Sequence, residues 1–212
     1  MDVVIIVFTG LIGFYMAWNI GANDVANSMA NAVGSRSLSI RSAVVLASIC
    51  EFSGVVLVGC SVTETIRKGI VNPNMIAALP NLRDGEAAAL ILIGMTAALL
   101  CSAFWLHFAT WVGMPVSTTH AIVGAVAGFG VVAAGWNCVS WSKMGQIVAS
   151  WFISPVAGGI GAYFLFKFIA TFILGREKPA EAAITYAPPI VFLLVFVVTL
   201  ATIYKGLNHI IS

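Results

Sequence analysis

Two short stretches of this chain carry side chains that a purely structural membrane helix does not need. The first is Gly21-Ala22-Asn23-Asp24-Val25-Ala26-Asn27-Ser28, which follows a run that is almost wholly apolar from Val3 to Ile20. Asp24 puts a formal charge at membrane depth, at a cost of about 2.5–3.5 kcal/mol on insertion scales. Residues of this kind face a protein interior or a watery cavity and act as functional groups. Asn23 and Asn27 are four apart and Asp24 and Asn27 three apart, so a helix places them on one face. A carboxylate with amide oxygens suits Na⁺, with Asn23 and Asp24 as its first ligands, and a carboxylate alone can carry H⁺. The small residues around Asp24 let the helix open and offer backbone groups, so a broken first helix is expected. The plainer reading is a polar cluster that fixes helix packing. Four polar side chains between Asn23 and Ser28 exceed what packing requires.

The second stretch is Pro115-Val116-Ser117-Thr118-Thr119-His120-Ala121. Three successive hydroxyls precede a fresh helix running toward Gly135. Hydroxyl donors and free N–H groups at a helix N-terminus suit an anion, helped by the positive end of the dipole. A tetrahedral oxyanion such as phosphate or sulfate offers such a cluster several acceptors. Ser117, Thr118 and Thr119 are therefore candidate binding residues. His120 either donates to the anion or holds the tip. The plainer reading is an N-cap, the usual work of Ser or Thr before a helix. Glu51 lies about ten residues into the second apolar block, where a carboxylate needs a partner or a proton. It reads as a coupling-ion ligand or proton carrier, against a neutral, hydrogen-bonded structural glutamate. His107 reads as structural, His209 is uninformative, and Glu64, Arg67 and Lys68 read as a solvated rim.

These residues must be positioned by membrane helices. The chain has 212 residues, 60% hydrophobic and 8% charged, with a mean hydropathy of +1.03. That composition implies an all-α, polytopic transmembrane bundle. A net charge of +2 leaves no basic face for nucleic acid. Apolar blocks long enough for a ~30 Å core run over about 3–33, 42–63, 87–112, 117–136, 143–174 and 188–205, forming a single domain over 1–212. Gly113-Met114-Pro115 cannot continue an ordinary helix. Two arrangements fit: a full span followed by a re-entrant segment, or a hairpin with its tip inside the membrane. Irregular backbone at that depth must be buried in protein or line a cavity. Gly124–Gly128 and Gly158–Gly161 allow close helix packing. The four cysteines have no metal spacing and read as packing residues. Loop Lys and Arg residues give no decisive orientation. Met1-Asp2 lacks the positive start of a cleaved signal peptide. No nucleophile–base pair typical of an enzyme is visible, and no covalent cofactor is expected.

At these residues the sequence resembles the inorganic phosphate transporter (PiT) family, which also includes sulfate permeases. Gly21–Ser28 is similar to its first signature. Ile40–Gly59, with Cys50-Glu51-Phe52, and Thr65–Ile70 are similar to its second helix and following loop. Pro115–Gly124 is similar to its hairpin signature. The resemblance implies a multi-pass protein of the plasma (inner) membrane that moves inorganic phosphate with Na⁺ or H⁺ by alternating access. Carried over, Asp24, Ser117 and Thr118 would bind substrate, with Thr119 and His120 part of the same motif. Asn23 and Asp24 would help bind the coupling ion, and Glu51 would be important for transport. The family's second, inverted half repeats both signatures, and the anion sits between halves. This chain is expected to correspond to one half, its partners being lipid and a second half. That half would be a continuation, a separate subunit or a copy of this chain in the opposite orientation. A sulfate permease and a non-transporting half subunit are the alternatives.

Overall fold

A computed structural model describes residues 3–80, 82 and 85–211, with side chains described for 3–56, 69–80, 82 and 85–204. The regular elements are helices: α1 Val3–Gly34, α2 Ile40–Gly69, α3 Pro73–Ala77, α4 Glu86–Val112, α5 Thr118–Ala134, α6 Trp141–Ile169 and α7 Pro179–Ile211. A 3₁₀ turn covers Trp136–Cys138 and a π-turn covers Ala170–Leu174. Among the described residues there is no strand, only an isolated antiparallel bridge between Val71 and Val139. Among the described residues, four helical stretches are long and apolar enough to cross a membrane: Val3–Gly34, Glu86–Val112, Trp141–Leu174 and Pro179–Tyr204. The chain divides into two units, Met1–Trp141 and Ser142–Ser212.

In the first unit, hydrogen bonds set the helix directions. Thr9 meets Thr96 (3.5 Å) and Asn23 meets Thr110 (3.2 Å), both at a sequence separation of 87. A constant offset means that α1 and α4 run parallel and in register. α2 folds back along α1, since Trp18 and Glu51 line one end of their groove and Val33 and Ile40 the other. Ser39 starts α2, its Oγ accepting from the Ser42 N–H (3.2 Å). α4 and α5 form an antiparallel hairpin in which Phe129 lies over Gly94. A Cβ built on Gly94 would sit 1.9 Å from that ring, so only glycine permits this approach. Met16, Ala103 and Leu106 form the buried centre, with Leu99, Val116 and Ile122 packed around them.

The break between α4 and α5 follows from its residues. Gly113 adopts φ 76°, a left-handed C-cap open to glycine at no steric cost. Its N–H donates to the Thr110 carbonyl (3.1 Å) and the Met114 N–H to the Ala109 carbonyl (2.8 Å), closing the last turn. Pro115 then prevents the helix from resuming. Ser117 caps α5, its Oγ accepting from the His120 N–H at 3.3 Å.

The first helix is not broken. α1 is continuous through Gly21–Ser28, because its polar side chains find partners across on α4, α5 and the intervening break and no backbone need be freed. Element bounds also differ from expectation. α2 extends to Gly69 rather than residue 63, since Glu, Arg and Lys are good helix formers. Between the second and third expected apolar blocks, Asn72 caps the short α3, accepting from the Asn74 N–H. α7 begins at Pro179 rather than Pro188, with Pro188 and Pro189 inside it. Proline suits the first helical turn, and a Lys178–Glu181 ion pair at 2.8 Å supports the new start. The side chains of Glu64, Arg67, Lys68, Cys60 and His209 lie outside the described residues. Cys138 is buried and packs, whereas Cys50 and Cys101 are exposed.

The second unit is a helical pair held largely by aromatic contact. Tyr186 of α7 packs edge-on against Phe168 and tilted against Phe172, with ring centroids 6.0 Å away in both cases. α6 has no buried residue, as suits helices whose apolar sides meet lipid.

Candidate anion and cation site

The continuous α1 carries a ladder of asparagines, Asn19, Asn23 and Asn27, each four residues from the next. Asn19 is buried and donates to the Tyr15 carbonyl (2.8 Å), a bond within α1. Asn23, only 4% exposed, bridges to the break. Its Nδ2 donates to Thr110 Oγ1 (3.2 Å) and to the Met114 carbonyl (3.4 Å). Its Oδ1 accepts from the Val116 N–H (3.4 Å) and from Asn27 Nδ2 (3.3 Å). An amide has two donor protons and two acceptor positions, so every one is used. The Val116 N–H also settles which end of the amide is oxygen.

One residue along, Asp24 is half-buried and meets the start of α5. Thr118 Oγ1 donates to both carboxylate oxygens, at 3.0 Å to Oδ1 and 3.2 Å to Oδ2. These residues are 94 positions apart in sequence, joined because α1 and α4 are parallel and α4 ends beside Asp24. Beside them, a cleft of about 180 Å³ is lined by Asn23, Asn27, Thr110 and the Gly113-Met114-Pro115 break.

Thus the two motifs converge, through Asn23, Asp24 and Thr118 directly and Asn27 by way of Asn23. Ser117 sits next to Thr118 with its oxygen engaged as the cap, leaving its hydroxyl proton to point elsewhere. Thr119 and His120 occupy the exposed first turn of α5. Glu51 is not part of this cluster. It is exposed on α2, lines the α1–α2 groove with Gly21, Ala22 and Val25, and has no hydrogen bond or ion pair among the described residues. One residue of the cluster escapes motif reading. Thr110 is the lone hydroxyl in the last two turns of α4. That signal is faint without knowing that α1 and α4 run side by side. Among the described residues no group of His, Cys, Asp and Glu could hold a metal ion.

Residues 20–212 match the model of the phosphate transporter family. A Haemophilus influenzae relative that carries a phosphate-permease name is 41% identical over 202 residues, 95% of this chain and 46% of that one. The chloroplastic inorganic phosphate transporter 2-1 of Arabidopsis thaliana is 44% identical over 184 residues, 87% of this chain and 30% of that one. A solved structure described as the sodium-dependent phosphate transporter superposes with a TM-score of 0.84 at 39% identity. That match covers 97% of this chain and 49% of the solved one. The chain spans less than half the length of these relatives.

Proposed function

This chain belongs to the phosphate transporter family, and on that premise we propose that it forms one half of an ion-coupled carrier for inorganic phosphate. It is a multi-pass membrane protein and not an enzyme. In this reading the anion is received at the N-terminus of α5 by Ser117, Thr118 and Thr119, with His120 beside them. The coupling cation binds at the Asp24 carboxylate, with Asn27 as the neighbouring amide. Sodium is favoured over H⁺ because the solved relative is described as sodium-dependent.

The observation that carries the reading is the bond from Thr118 to Asp24. Thr118 has one hydroxyl proton. While that proton is given to Asp24 it cannot be given to an anion. A cation on the carboxylate releases it, so cation binding arms the anion site. The same cation removes a repulsion. A carboxylate and an anion about 4 Å apart oppose each other by about 4 kcal/mol at an effective dielectric of 20. A single hydrogen bond to a charged group returns only about 1.5–3 kcal/mol, so the Thr118 hydroxyl alone does not offset that repulsion. Phosphate is favoured over sulfate on the same chemistry: a phosphate hydroxyl can donate to a carboxylate, and sulfate has no proton to give.

Only part of the anion's surface is met by these groups. A second half, inverted with respect to this one, completes the cage near the midplane, and rocking of the halves exposes it alternately. The test is uptake of radiolabelled phosphate into proteoliposomes of this chain, alone and co-expressed with a second half. Sodium-stimulated uptake that Asp24→Asn abolishes supports the carrier. Uptake only with the second half present favours the half-subunit form. Uptake indifferent to sodium and to Asp24, or suppressed equally by excess sulfate, would overturn the coupling or the anion assignment respectively.

A further inference from the structure

We infer that Asn23 is a positioning residue, a latch that fastens the α4–α5 break to α1 and thereby sets Thr118 on Asp24, and that its oxygen is not a ligand of the coupling ion. The inference rests on the proposed role of Asp24 and Thr118 but uses a different observation. All four hydrogen-bonding positions of the Asn23 amide are spent inside the protein. Two of its partners are backbone groups that the break strands: the Met114 carbonyl and the Val116 N–H, on either side of Pro115. Neither has a helical partner, because Gly113 ends α4 and Pro115 prevents its resumption. At this depth such groups must be satisfied from within the protein. Asn23 is the residue that does so, and it is itself buried, while its partner Val116 packs against the cluster formed by Met16, Ala103 and Leu106.

The geometry excludes a double duty. A cation on Asn23 Oδ1 would have to displace the Val116 N–H, the Asn27 amide, or both, and the break would come away from α1. Thr118 lies two residues beyond Val116, so loosening Val116 moves the hydroxyl that must address Asp24. The ligands left for the cation are then Asp24 and the oxygen of Asn27, whose nitrogen alone is engaged with Asn23.

The latch is tested on the purified chain by hydrogen–deuterium exchange at the Val116 amide, a measurement that does not depend on transport. Asn23→Ala should speed that exchange by roughly tenfold, and Thr110→Val should speed it in the same direction, while Thr110→Ser, which keeps the hydroxyl, should restore protection. Exchange in the wild type should be the same in sodium chloride and choline chloride. Asn23→Asp divides the latch, since a carboxylate still accepts from the Val116 N–H but loses the protons given to Thr110 and to the Met114 carbonyl. It should keep more protection at Val116 than Asn23→Ala does. In the phosphate uptake assay the uncharged Asn23→Ala should raise KM for phosphate and leave the sodium concentration for half-maximal uptake unchanged. Unaltered exchange in Asn23→Ala, or sodium-accelerated exchange in the wild type, would overturn the latch. Absence of any uptake would count against the carrier reading alone, because the exchange results stand without it.

Discussion

Thr118 has a methyl group and a single hydroxyl proton, and the two can be separated by substitution. Thr118→Val keeps the shape and removes the proton. It should raise KM for phosphate by about tenfold, the equivalent of one charge-assisted hydrogen bond, with protein abundance unchanged. Thr118→Ser should remain near the wild type. Equal KM values for Thr118→Val and wild type in an uptake titration would remove the hydroxyl from anion binding. Asp24→Asn is a stricter case. The amide is nearly isosteric and still accepts from Thr118, so the fold should survive. The charge that attracts the cation is gone, so sodium stimulation should disappear. Ser117 is different again, because its oxygen caps α5. Ser117→Ala should cost about 1 kcal/mol of helix stability in addition to any effect on the anion, and thermal unfolding measured beside uptake separates the two.

At the scale of elements, the α4–α5 hairpin was the most legible part of the fold. Gly113, Pro115 and Ser117 are a stop, a barrier and a start in five residues, and each acts through local sterics or a local hydrogen bond. The unbroken course of α1 was not legible from the same kind of reading. Asp24 looked as though it needed an opened helix, because its partner lies 94 residues away and nothing local announces it. Pro188 misled for the opposite reason: a missing N–H suggests a helix start, yet α7 begins at Pro179 and runs through it as membrane helices tolerate. Glu51 shared a polar character with Asp24, but whether two helices bring their carboxylates together depends on packing that spacing does not encode. Packing also gives the element-scale prediction. Gly94→Ala places a methyl 1.9 Å from the Phe129 ring as it stands, so the ring or the hairpin must move, at a cost of about 1–3 kcal/mol. Phe129→Leu in the same chain should recover part of that loss. A double-mutant cycle by thermal unfolding that showed strict additivity would mean α4 and α5 do not meet at this point.

For the whole molecule, the polar groups that the first unit leaves open are the telling feature. Met16, Ala103 and Leu106 are covered, but Asn27 and Ser28 on α1 and Glu51 on α2 are exposed, in helices that otherwise present Val, Ile, Leu and Phe to their surroundings. Exposed to lipid, a carboxylate in a membrane helix is costly. Glu51 stands in a groove of about 940 Å³ lined partly by Gly21, Ala22, Ala26, Ala30 and Ala43, small residues of the kind that let another helix approach closely. If a second half supplies that cover, the isolated chain and the assembled carrier should respond oppositely to loss of the charge. Glu51→Leu should raise the unfolding temperature of the isolated chain in lipid nanodiscs, because a desolvated carboxylate has been replaced by a side chain that lipid accepts. The same substitution should lower sodium-coupled phosphate uptake where both halves are present, because the groove then lacks its polar contact. A lowered unfolding temperature in the isolated chain would mean that Glu51 is already satisfied within this half, and the demand for an outside partner at that groove would fall.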